Sequence, residues 1–220
     1  MPDIVIDLFD VPDQMSFERE TMAPGAVLLR GRALALEADI LAALESVVAA
    51  APFRHMTTPG GFLMSAAMTS CGTAGWVTDR TGYRYDRHDP ETGKPWPAMP
   101  ESFRRLAREA AADAEYASFE TDSCLINRYL PGARLSLHQD KNERDFTQPI
   151  VSVSLGLPAT FQFGGVKRAD PVVKYPMRHG DIAVWGGPSR LFHHGVLTIK
   201  DGEHPRLGHQ RINLTFRVAL

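Results

Sequence analysis

The chain has 220 residues, 44% hydrophobic and 23% charged, with a formal net charge of −2. These values suit one well-buried globular domain, and they exclude a global basic field for nucleic acid, so any such partner needs a local patch. No apolar run reaches membrane-span length, Cys71 and Cys124 are too few for a disulfide framework, and residues 1–13 are acidic without the basic start of a secretory signal.

A cytoplasmic chain with two reduced thiols and no membrane contact is therefore expected, and the weak charge makes a monomer the default. No internal repeat or low-complexity segment is present. Residues 1–25 are weakly patterned, which predicts an arm lying on the domain. Leu36, Ile40, Leu41, Leu44, Val47 and Val48 recur at helical spacing, and Pro52 ends that helix. From Pro52 to Pro100 glycines and prolines recur, predicting short strands and long loops. Phe62, Trp76, Tyr83, Tyr85 and Trp96 lie there among Arg54, Arg80 and Arg84. Singly they suit a core; together they suit a lid over a planar ligand. Pro100 opens a second helix that buries Phe103, Leu106, Ala107, Ala110 and Ala111.

Beyond Asp122 the chain reads as strands: 124–130, 134–140, 150–157, 160–163, 182–185, 191–196 and 211–218. Helices grouped before short strands predict a mainly β fold of the α+β class. Its core is a double-stranded β-helix (jelly roll) with the helices packed outside.

One strand carries unusual chemistry. Leu135 and Leu137 fall on one face of 134–140, with Arg134, Ser136, His138 and Asp140 on the other. An imidazole and a carboxylate two residues apart can share one metal ion. A second histidine from elsewhere would complete the two-His-one-carboxylate triad of non-haem Fe(II) oxygenases. A second His-x-Asp, His179-Gly-Asp181, carries the glycine of a turn, so Asp181 is expected to bond its own backbone. In the last strand Ile212, Leu214, Phe216 and Val218 share one face, and Arg211, Asn213, Thr215 and Arg217 the other. Asn127 and Tyr129 likewise share a face opposite Ile126. Such groups are either solvated outer faces or, together, the guanidinium forks and neutral donors that a dicarboxylate needs. A metal face beside a dicarboxylate face implies 2-oxoglutarate.

The strings Asn127-Arg-Tyr129, Leu135-Ser-Leu-His-Gln-Asp-Lys141, Phe161-Gln-Phe-Gly-Gly165, Ser189-Arg-Leu-Phe-His-His-Gly195 and Arg211-x-Asn-Leu-Thr-Phe-Arg217 closely resemble the AlkB family of Fe(II)/2-oxoglutarate dioxygenases. So do Thr58-Pro-Gly-Gly61, Gly75-Trp76, Gly82-Tyr83 and Lys94-Pro-Trp-Pro-Ala-Met-Pro100, and the match covers about residues 50 to 218. The resemblance implies that His138, Asp140 and His194 hold the iron, with His193 a decoy facing the other way. It implies 2-oxoglutarate contacts from Asn127, Tyr129, Arg211, Asn213 and Arg217. Arg211 takes the distal carboxylate with Tyr129 and Asn213 assisting, and Arg217 and Asn127 lie nearer the iron. Met68, Trp76, Tyr83 and Arg168 match positions facing the damaged nucleotide, and Arg134 and Lys141 the phosphates and rim. Asn142 stands where close relatives have an aspartate that reads the base's exocyclic amine, and Phe62 where they have tyrosine.

The implied organisation is a single dioxygenase domain: arm and helix (1–51), nucleotide-recognition lid (52–99), and helix plus catalytic jelly roll (100–220). The implied reaction consumes O2 and 2-oxoglutarate to demethylate N1-methyladenine and N3-methylcytosine in DNA, single-stranded for preference, and in RNA as an extension. Its products are formaldehyde, succinate and CO2. Aromatic rings at Trp76 and Tyr83 would hold the cationic base. The alternatives are a same-fold dioxygenase acting on RNA, protein or lipid, and a jelly-roll binding module without catalysis.

Overall fold

The computed structural model describes residues 17–220, so residues 1–16 of the expected arm lie outside the described residues. The remainder of that stretch is not an arm. It folds into a hairpin of β1 (Arg19–Ala23) and β2 (Ala26–Leu29), and β2 joins the large sheet beside β11 (Ile182–Trp185). All four residues of β2 are buried, so no alternation marks it.

Two helices follow their hydrophobic periods. α1 (Glu37–Ala50) turns Ile40, Leu44 and Val47 inward, and α2 (Glu101–Asp113) buries the five residues its period selects, starting directly after Pro100. Both pack on one face of a seven-stranded antiparallel sheet of order β1-β2-β11-β8-β13-β6-β3. Its remaining members are β8 (Ile150–Gly156), β13 (Arg211–Arg217), β6 (Ser123–Tyr129) and β3 (Ala67–Gly72). Phe103 of α2 meets Phe216 of β13 edge-to-face, centroids 5.9 Å apart. Such a contact adds about 0.5–1.5 kcal/mol beyond area burial.

The other face of the sheet covers the second layer, a four-stranded sheet of order β10-β9-β12-β7. Its strands are β7 (Leu135–His138), β9 (Ala159–Phe163), β10 (Val173–Met177) and β12 (His194–Val196). Alternation therefore sorts each strand of the large sheet. Ile212, Leu214 and Phe216 join the core under the helices, while Arg211, Asn213, Thr215 and Arg217 point between the sheets. Cys71 and Cys124 are free, fully buried and directly opposed between β3 and β6. β4 (Gly75–Asp79) and β5 (Gly82–Asp86) form a separate hairpin over the open end. No helix among the described residues is long and apolar enough to cross a membrane.

Candidate active site

A cavity of about 840 Å³ lies between the sheets, and every residue that the sequence nominates for metal, dicarboxylate or base contact lines it. That volume is at the upper end for small-molecule sites. The histidines converge because β12 pairs with β7 in a register that places His194 opposite His138, with ring centroids 4.4 Å apart. Gly195 makes this approach possible: a Cβ there would stand 2.7 Å from the Leu135 carbonyl oxygen. Asp140 follows just beyond the end of β7. Its Oδ1 lies 3.7 Å from His138 Nε2 and its Oδ2 3.6 Å from His194 Nε2.

The tautomers are set by the backbone. His138 Nδ1 lies 2.9 Å from the Ser136 carbonyl oxygen and His194 Nδ1 3.0 Å from that of Phe192. A carbonyl only accepts, so each Nδ1 carries the hydrogen and each Nε2 keeps its lone pair for a metal. One donor atom from each of the three residues falls within 4.8 Å of the others, as in no other group of His, Cys, Asp or Glu among the described residues. Ligand atoms about 2.1 Å from one ion stand about 3 to 3.4 Å apart, so small side-chain rotations suffice. Burial, with the neighbouring His194, lowers the His138 pKa to about 4, leaving a neutral ligand at neutral pH. Burial alone would raise Asp140, but the Arg217 guanidinium and the two imidazoles hold it well below the usual carboxylate range.

The dicarboxylate face is not a solvated one. Arg211 is 2% exposed and Arg217 5%. Arg211 Nε donates to Ser154 Oγ at 3.1 Å, and its guanidinium carbon sits 5.1 Å from the Tyr129 ring centroid. Tyr129 Oη, Arg211 Nη1 and Arg217 Nη1 are buried without a hydrogen-bond partner among the described residues. Buried donors of this kind demand one, and all three residues line the cavity. The donor set thus fits Fe(II) at the triad and 2-oxoglutarate beside it. Asn213 has a narrower part than its residue type suggests. Its amide donates to Ser152 Oγ (2.9 Å) and the Val153 carbonyl (2.8 Å) and its Oδ1 accepts from Thr215, so it braces the floor of the socket.

At the mouth, Trp76 and Tyr83 stack at 5.7 Å and 24°. Trp76 Nε1 donates to Asn142 Oδ1 at 3.1 Å, which occupies one lone pair of the amide oxygen and leaves one for a base. Arg168, Arg134 and Lys141 are all exposed on the rim, and Arg168 donates to the Leu137 carbonyl oxygen. Met68 is buried in the wall. Phe62 is 76% exposed beside the opening. Asp181 accepts from the backbone N–H of Arg178 in its own turn, as expected, and also from the backbone N–H of Gly31 and from Arg30 Nη1, which tie the turn to the end of β2. His193 contacts the Gly165 carbonyl and is absent from the metal cluster.

Sequence reasoning named Tyr85 only as a lid aromatic and missed Glu143 and Arg190. Glu143 and Arg190 form a buried ion pair at 3.1 Å behind Asp140, and Tyr85 donates to Glu143 at 2.6 Å. Their separation in the chain hides them. The only local signal was a charge, Arg190, inside an otherwise conspicuous motif.

The family model for the 2OG-Fe(II) oxygenase superfamily matches residues 25–217. The chain is 56% identical over 215 residues to the alpha-ketoglutarate-dependent dioxygenase AlkB of Salmonella typhimurium, covering 98% of each. It is 56% identical over 201 residues to AlkB of Escherichia coli, covering 91% of this chain and 93% of that one. Among solved structures it is similar to OsALKBH1, with a TM-score of 0.79 and 29% identity over 91% of this chain and 99% of that one. The chain therefore belongs to the 2OG-Fe(II) oxygenase superfamily and, within it, to the AlkB dioxygenases, which use Fe(II), 2-oxoglutarate and O2.

Proposed function

We propose that this chain repairs alkylated DNA by oxidative demethylation of N1-methyladenine and N3-methylcytosine. The observation that carries the reading is one cavity lined by the His138–Asp140–His194 cluster, the Arg211 and Arg217 socket and the Trp76–Tyr83 stack. Bound iron and 2-oxoglutarate supply the activation of O2 and the hydroxylation of the N-methyl carbon, with succinate and CO2 as the cosubstrate's products. The hydroxymethyl group then gives up its hydroxyl proton as the C–N bond breaks, so formaldehyde leaves and the bonding pair stays on the ring nitrogen.

The protein's own share is position. His138, Asp140 and His194 hold the metal, and Arg211 with Tyr129 Oη meets the distal carboxylate. Arg217 Nη1 and Asn127 meet the end nearer the metal. Trp76 and Tyr83 hold the methylated base by stacking and cation–π attraction, each of order 1 kcal/mol or more. Met68 and Arg168 face the damaged nucleotide, Arg134 and Lys141 take phosphates and rim contacts, and Asn142 offers its remaining lone pair to an exocyclic amine. We read residues 52–99 as the nucleotide lid and 100–220 as the catalytic core.

Flipping a base out of a duplex costs a few kcal/mol, so single strands are the preferred form. The site is complete within one chain, which supports a monomer. The free thiols at Cys71 and Cys124 support a reducing, cytoplasmic setting. Stacking is indifferent to the sugar, so methylated RNA is the second substrate class.

Product analysis tests the reading. Single- and double-stranded oligonucleotides, each with one defined lesion, should yield formaldehyde and succinate in equal amounts, dependent on Fe(II). A non-catalytic module would yield neither.

A further inference from the structure

The lid hairpin is bonded to two consecutive residues of the loop that carries the metal carboxylate. Trp76 and Tyr85 are directly opposed in the β4–β5 register, so their side chains leave the hairpin on one face. Trp76 Nε1 donates to Asn142 Oδ1 at 3.1 Å, and Tyr85 Oη donates to Glu143 Oε1 at 2.6 Å. Asn142 and Glu143 follow Asp140 by two and three positions.

Glu143 is the hub of a buried network. Its side chain is 1% exposed, and its Oε2 accepts from Arg190 Nη2 at 3.1 Å while its Oε1 faces Arg217 Nε at 3.3 Å. Arg190, 3% exposed, donates through Nη1 to the Asp140 carbonyl oxygen at 2.8 Å and through Nε to the Gln148 carbonyl oxygen at 2.9 Å. Arg217 donates to Asp140 Oδ2 through Nη2 at 2.6 Å and Nε at 3.1 Å. Asp140 is thus gripped at its carboxylate and at its backbone by two guanidiniums, and Glu143 holds both of them. Two buried cations balance two buried anions, a geometry that survives burial only with its hydrogen bonds intact. Among the described residues Tyr85 is the one neutral side-chain donor in this network, and its bond is the one that comes from the lid.

We propose that Tyr85 is a positioning residue for the metal carboxylate: through Glu143, Arg190 and Arg217, its hydroxyl transmits the seating of the lid hairpin to Asp140. The inference rests on the reading of Asp140 as a metal ligand and is independent of which base is repaired. A lid shifted by an entering base moves Trp76 and Tyr85 together, because they are register partners. Both connections then act on the same short loop.

The test uses the full chain with Co(II) as the probe. Tyr85→Phe removes one hydroxyl and keeps the ring. It should leave the melting temperature near wild type, weaken Co(II) affinity about three- to tenfold and shift the visible absorption of the bound ion. That loss is smaller than the roughly 10- to 100-fold cost of removing a direct partner of a ligand. Tyr116→Phe, which removes a hydroxyl bonded to the Gly25 carbonyl far from the cavity, should change neither readout. Should Tyr85→Phe fail to fold, Tyr85→Met, which also fills the space without a hydroxyl, carries the same expectation. Wild-type Co(II) affinity and spectrum in the folded variant would overturn the proposal.

Discussion

Arg217 holds Asp140 by two hydrogen bonds to a single oxygen, Nη2 at 2.6 Å and Nε at 3.1 Å from Oδ2. The arginine comes from the large sheet and the aspartate from the loop after β7, so the pair bolts the metal loop to the opposite layer. Arg217→Lys keeps the charge and loses the fork. Co(II) affinity should fall about 10- to 100-fold, measured by titration. Wild-type affinity in that variant would mean that Asp140 is oriented by other groups.

Arg211 does a separable job. It is buried, donates to Ser154 and stacks beside Tyr129. Burial lowers its pKa below the usual arginine value, with the facing Tyr129 acting in the opposite sense. Losing a buried partner of a charged ligand costs at least about 2 kcal/mol, or roughly 30-fold. Arg211→Ala should raise the 2-oxoglutarate concentration needed for half-maximal succinate release by at least about that factor. Co(II) binding without 2-oxoglutarate should stay as in wild type. Arg178→Ala, at an exposed arginine, should change neither.

Trp76 tests the substrate reading. A stacked base is worth about 1–3 kcal/mol, roughly 5- to 140-fold in kcat/KM. Trp76→Ala should lose activity on a methylated oligonucleotide within that range while retaining metal and 2-oxoglutarate binding. Full activity in Trp76→Ala would remove the nucleotide lid from the account.

Periodicity made the two helices and most of the jelly roll legible, because a helix buried on one stripe and a strand split between two environments both write a pattern. The hidden elements have physical reasons. β2 is buried on both faces and has no alternation to read. β10 contains Pro176, which removes a ladder donor, and it escapes notice because it is the edge strand beside β9, where proline is tolerated. The predicted strand 191–196 is shortened to His194–Val196 because Gly187–Ser189 forms a 3-10 turn ahead of it. In the site, His138 and Asp140 were legible from local spacing, whereas His194 needed the family motif. The Tyr85–Glu143–Arg190 chain was not legible at all. Its members lie 58 and 47 residues apart in sequence, and only the closed fold brings them together.

Acid should weaken the metal-free protein in a defined window. His138 takes its proton near pH 4 in the fold, against a reference value of 6.5. Below about pH 6.5 the unfolded chain binds a proton that the native state refuses, so stability falls until about pH 4, where the native residue also protonates. Asp140 acts in a lower window: its depressed pKa contributes stability that is kept above the ordinary carboxylate value and lost only as the pH falls below it. Urea midpoints at pH 7 and pH 5 should therefore fall more in wild type than in His138→Gln. Equal falls would assign the acid sensitivity to other groups.

The central claim is that His138, Asp140 and His194 clasp one divalent ion, with the adjacent His193 outside it. Co(II) titration of the full chain by calorimetry should give one ion per chain in wild type and His193→Ala, and no measurable binding in His194→Ala. Unchanged affinity in His194→Ala, or its loss in His193→Ala alone, would contradict the account.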